Sequence, residues 1–197
     1  MLSDDVRLLT HPFRVYRELG AADDPALLRA AVTKAGLLLL VVGAFVSLTS
    51  AGRLVAFHVA SAFVFYLVAP VVQAASIALA TRAVAPAASV PRALSLYFSG
   101  FLPWKLLLLF VAIVPLVAPD AYEGFIWILR TGILPGSMLV TIGYSVALTY
   151  AGFRAGLELS RPRALAATAI HYVVFVGLIV GWYVVTNQLP PQFPGIP

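Results

Sequence analysis

The chain has 197 residues, is 61% hydrophobic and only 11% charged, and has a mean hydropathy of +0.97. Soluble domains carry about a quarter charged residues, so this composition excludes a water-soluble domain and describes a single bundle in lipid. With no cysteine, a disulfide framework and cysteine-ligated metal or iron–sulfur centres are excluded as well.

Residues 1–34 read as a cytoplasmic amphipathic segment. They carry five acids and no apolar core, so they are neither a span nor a signal peptide. Thr10 is placed to cap a short helix with Pro12 in its first turn, ending near Leu19-Gly20. Phe13 and Tyr16 fall on one side of it, and Arg14, Arg17 and Glu18 on the other. Such a helix lies in the membrane interface, apolar face down. The other reading is a solvated helix folded against the bundle. Asp24-Pro25 then restarts a helix, with Asp24 as cap.

Residues 35–186 read as a five-span domain. Crossing about 30 Å of hydrocarbon takes about 20 apolar residues. The apolar runs fall at about 35–52, 57–81, 93–118, 124–153 and 164–186. The second holds Pro70, followed by Gln73 and Ser76, and predicts a kink facing the interior, where polar side chains can satisfy the freed carbonyl. The third contains Pro103-Trp104 and Lys105. The fourth has a single charge, Arg130, in thirty residues, a break at Pro135-Gly136, and the hydroxyl row Ser137, Thr141, Ser145 and Thr149. The fifth contains His171. The tail, 187–197, is proline-rich and uncharged, and reads as extended chain. The fold class expected is an all-α membrane protein: a five-transmembrane-helix bundle with an N-terminal interfacial amphipathic helix.

Charge sets the orientation. With the N-terminus inside, the inner segments hold ten basic residues: Arg7, Arg14, Arg17, Arg29, Lys34, Arg82, Arg92, Arg154, Arg161 and Arg163. The outer segments hold Arg53 alone. Lysine and arginine in short loops decide orientation, so the N-terminus is expected in the cytoplasm and the C-terminus outside. Trp127 and Trp182 fall toward the outer interface. Basic residues confined to loops face anionic lipid. Membrane lipids and a protein partner or complex are the expected partners, and nucleic acid is not.

Small residues recur every fourth position at Gly132/Gly136, Gly152/Gly156, Gly177/Gly181 and Ser95/Ser99. In lipid this spacing lets helices approach closely. Packing within the bundle and a homodimer seam are the two readings, with the first preferred. The hydroxyl row is either a seam or a polar path.

No catalytic site is expected. All eight acids lie outside the apolar runs and three histidines are scattered singly. No metal site and no cofactor are expected. His171 could ligate a haem or chlorin, or move protons, but a lone histidine is more often structural. Lys105 and Arg130 are the charges within the spans. They snorkel to opposite interfaces, bind lipid headgroups or a partner's carboxylate, or line a cavity for an anionic solute. The expected lipid or partner contacts are Lys105, Arg130, Gly132, Gly136, Ser137 and Thr141.

Four features resemble the bacterial branch of the Yip (Ypt/Rab-interacting protein) domain family. HPFRVYREL stands where the family opens with P-x-x-x-aromatic-x-x-L. Five spans run from N-in to C-out. SLYFSGFLPWKLLLL resembles the aromatic-rich lead into a proline, and GYS lies toward the end of the fourth span. The acidic, tyrosine-rich pattern of the eukaryotic members is missing. The resemblance covers about residues 8–186 and implies a non-catalytic integral membrane protein that organises membranes or partners. An accessory subunit of a larger bacterial membrane complex is the second expectation, and a small transporter of an anionic solute the third.

Overall fold

The computed structural model describes residues 2–21, 25–117, 132 and 134–188. Its α-helices are α1 (Leu2–Thr10), α2 (Pro12–Ala21), α3 (Pro25–Ala51), α4 (Ala56–Val84), α5 (Val90–Ser99), α6 (Leu102–Val117), α7 (Leu134–Ala151) and α8 (Arg161–Gln188). A π-helical turn, Gly152–Gly156, continues α7. No strand occurs among the described residues.

Among the described residues three helical stretches are long and apolar enough to cross a membrane: Ala56–Val84, Gly136–Gly156 and Arg161–Trp182. A shorter apolar stretch, Ala35–Leu48, lies within α3. The apolar run 93–118 is two helices rather than one. Pro103 is the cause: it has no N–H to donate to Ser99, and its ring would meet that carbonyl. The chain therefore breaks at Gly100-Phe101, and α6 restarts with Pro103 in its first turn, where no N–H is needed. Arg130, Trp127 and the first part of the 124–153 run lie outside the described residues, as do Asp24 and the tail beyond Gln188.

Helix α4 packs chiefly against α3 and α8. The α3–α4 turn is tight because Gly52 takes a left-handed φ of 64°, which glycine adopts without steric cost. Ser47 fixes that turn. Its hydroxyl donates to the Arg53 carbonyl at 2.9 Å and accepts from the Val55 N–H at 2.8 Å. One cluster joins Ile77 and Ala80 of α4, Ala93 of α5, Phe153, Leu159, and Ala164 and Ala167 of α8. Pro70 sits half-buried within an uninterrupted α4, and Gln73 and Ser76, which follow it, are buried.

The N-terminal segment differs from expectation in two ways. Thr10 ends α1 rather than capping α2: its hydroxyl donates back to the Val6 and Arg7 carbonyls at 3.4 Å. His11 is the junction, its carbonyl accepting from the Val15 N–H. Second, α2 does not present Phe13 and Tyr16 together to lipid. Tyr16 is 1% exposed and Phe13 is 46% exposed. The buried face of α2 is Val15, Tyr16 and Gly20, and protein covers it.

Candidate functional site

The N-terminal helices form a hairpin docked against one end of the bundle. Leu8 of α1 and Val15 and Tyr16 of α2 join Leu96, Leu148, Ala151 and Ala155 in one buried cluster. Glycines make the close approach. A Cβ on Gly20 would run into the carbonyl of Gly156, and one on Gly156 would lie 2.6 Å from Leu96 Cδ1. The Tyr16 ring lies over Gly152, 3.7 Å from where a Cβ would sit, and its phenol oxygen fills the space beside Gly100. The Tyr144 hydroxyl donates to the Leu9 carbonyl. Arg7 and Arg14 pair with Glu18 at 2.7 and 3.5 Å; such exposed pairs add little stability. Burial pushes the Tyr16 phenol well above its ordinary pKa, with smaller contributions from the Tyr172 and Tyr144 phenols.

Beyond Tyr16 lies a buried polar cluster. His171 is 0% exposed. Its Nδ1 lies 2.8 Å from Ser76 Oγ, and that hydroxyl donates to the Gln73 carbonyl at 2.9 Å. A serine hydroxyl has one proton, so with that proton on Gln73 the imidazole donates from Nδ1 and carries its lone pair on Nε2. Nε2, Gln73 Oε1 and Ser145 Oγ have no hydrogen-bond partner among the described residues. The ring is enclosed by Tyr97 at 5.0 Å, Tyr172 at 4.7 Å and Phe175 at 6.1 Å. Thr149 donates to the Ser145 carbonyl at 2.8 Å and lies 3.4 Å from the Tyr172 hydroxyl, linking α7 to α8. Chemically this is an aromatic-walled interior holding one imidazole whose Nε2 has no partner among the described residues.

The residues expected to make lipid or partner contacts fall in different places. Thr141, Ser145 and Thr149 are buried, and Ser137 is half-buried at the start of the row. Gly132 and Gly136 are exposed, and nothing among the described residues lies within 4 Å of where a Cβ would be. Lys105 is half-buried on α6, one turn beyond the break. Arg130 is outside the described residues. Among the described residues nothing lies within 4 Å of where a Cβ would sit on Gly132, Gly136, Gly177 or Gly181, while Gly156 is enclosed by Leu96 and Gly20. Tyr16, Gly100 and the Ser76–His171 pair were not singled out as a site by the sequence. The spacing Pro12, Tyr16, Leu19 and the helix-breaking Pro103 were the signals available.

The fold is that of an all-helical membrane protein whose N-terminal hairpin is built into one end of the bundle. The Yip1 domain family matches residues 6–185, and the chain belongs to that family. No curated protein and no solved structure matches it.

Proposed function

We propose that this protein is a non-enzymatic, five-span membrane protein that acts through lipid or protein contacts in membrane organisation. On this reading α3, α4, the broken pair α5–α6, the run ending in α7, and α8 are the crossings. It sits in a bacterial inner membrane with its N-terminus in the cytoplasm. One observation carries the reading: several interior polar side chains bond one another or the backbone across helices, while open surface lies on α7 and α8 among the described residues. Ser76 and His171 join α4 to α8, Thr149 and Tyr172 join α7 to α8, and Tyr144 holds the N-terminal hairpin. By contrast, Gly136, Gly143, Gly177 and Gly181 have nothing among the described residues within 4 Å of where a Cβ would sit. In lipid, small residues on an open helix face let another helix come close.

That open face also supports the second reading, an accessory subunit of a larger membrane complex. Purification in mild detergent with native mass measurement tests both. Bound lipid or a substoichiometric partner supports the first reading, and a stable stoichiometric complex the second. A turnover activity that survives in the purified protein and is abolished by His171→Gln would sink both.

A further inference from the structure

We propose that the arginine-rich end of the bundle is a binding site for the phosphate of an anionic phospholipid headgroup; this names a partner for the lipid-contact reading and rests on it. The packed cluster of Ile77, Ala80, Ala93, Phe153, Leu159 and Ala164 pins four chain ends together. At those ends lie Arg82 in the last turn of α4, Arg92 in the first turn of α5, Arg154 in the π-turn, whose guanidinium donates to the Leu159 carbonyl at 2.9 Å, and Arg161 and Arg163 in the first turn of α8. Among the described residues none of the five is in an ion pair with an acid. Glu158 is the acid on these loops. The Nε of Arg92 is buried and has no hydrogen-bond partner.

Helix polarity sharpens the point. Helices α5 and α8 both begin at this end, and neither has an acidic residue in its first turn. A helix N-terminus carries partial positive charge and favours anions. Here it meets arginines instead, so five arginines gather at this end beside the single acid Glu158. An anion between these ends relieves that repulsion.

The surroundings select a lipid over a soluble anion. Leu79 lies one turn from Arg82 on α4, and Leu165 one turn from Arg161 on α8. They are 55% and 60% exposed. Residues three or four apart share a helix face, so Arg82 and Arg161 each have an exposed leucine directly along the helix, toward the bilayer. A headgroup at the arginines places its acyl chain on those leucines.

The test uses the full chain in detergent, titrated with phosphatidylglycerol or phosphatidylcholine, with bound lipid counted by native mass spectrometry. Phosphatidylglycerol should be retained in preference to phosphatidylcholine, and more weakly at high salt. Each of Arg92→Gln, Arg161→Gln and Arg163→Gln should weaken it by about fivefold, as expected per basic residue at an anionic surface. Arg53→Gln, in the turn at the opposite end of α4, should change nothing. The single variants are read alongside their melting curves, so that misfolding is not counted as lost binding. Equal retention by wild type and all three folded variants would overturn the site, as would complete displacement by millimolar inorganic phosphate, which would mark a soluble-anion site. A stable protein complex without phosphatidylglycerol preference would overturn this site and leave the contact reading standing. A turnover activity with lipid preference intact would do the reverse.

Discussion

The phenol oxygen of Tyr16 occupies the space where any residue other than glycine at position 100 would carry its Cβ. This contact joins the N-terminal hairpin to the break between α5 and α6. It predicts a reciprocal rescue. Gly100→Ala should destabilise by about 1–3 kcal/mol, the usual cost of overpacking. Gly100 has an ordinary φ of −83°, so the cost comes from the clash and not from backbone strain. Adding Tyr16→Phe removes the clashing oxygen and should restore most of the loss. Thermal unfolding of the two singles and the double checks this, and additive losses would argue against the contact.

The glycines should divide into two groups. Gly20→Ala meets the Gly156 backbone, which cannot swing aside, and should be severe. Gly156→Ala meets the end of the Leu96 side chain, and should be partly relieved by Leu96→Ala. Gly143→Ala and Gly177→Ala meet nothing within 4 Å. In the isolated protein they should be neutral, or stabilising by up to about 1 kcal/mol from helix propensity. Melting curves of the four variants give the comparison.

Much of this architecture was legible in the sequence and some was not, for definite reasons. Apolar runs are set by composition, so α4 and α8 stand out, and Pro12 and Pro25 mark the starts of α2 and α3. The opening P-x-x-x-aromatic-x-x-L pattern was visible, but its role was not. Pro12 starts α2, Tyr16 enters the bundle and Leu19 packs on the same cluster. An amphipathic helix reads the same whether lipid or protein covers its apolar face. Glycine spacing likewise shows where close approach is possible and not where it occurs, which is why Gly156 and Gly177 look alike in sequence. The Ser76–His171 bond joins residues far apart in the chain, and no local pattern announces it.

The Ser76–His171 pair should behave as packing. Ser76→Ala should cost no more than about 1.7 kcal/mol, the upper end measured for interhelical hydrogen bonds in membranes. His171→Ala also removes the ring between Tyr97, Tyr172 and Phe175, and should cost about 3–5 kcal/mol, as for a buried aromatic. In the double variant the losses should be less than additive. Additivity in the unfolding cycle would show that the two side chains do not couple.

Stability should fall in alkali through Tyr16. Its folded-state pKa is raised, so its contribution is fully present below the ordinary phenol value of about 10. As pH rises past that value the unfolded state ionises first, and the contribution is lost toward the higher folded value. Tyr16→Phe should flatten this loss. Tyrosinate absorbance, followed alongside unfolding, reads both states.

Labelling tests the side assignments. Single cysteines at Ser89 and Ser160, both exposed, should react from one face of the membrane. A cysteine at Leu54, exposed at the other end of α4, should react only from the opposite face. Reaction of Ser89 and Ser160 from different faces would break the five-span topology.

The central claim is that the N-terminal hairpin is part of the bundle and not a loose interfacial strap. Hydrogen exchange on residues 12–21 of the full-length protein in lipid nanodiscs tests it most directly. Docking predicts slow exchange there, comparable with residues 90–99, and selective loss of that protection in Gly100→Val while α4 and α8 stay protected. Fast exchange over residues 12–21 in the wild type, or protection unchanged by Gly100→Val, would contradict it.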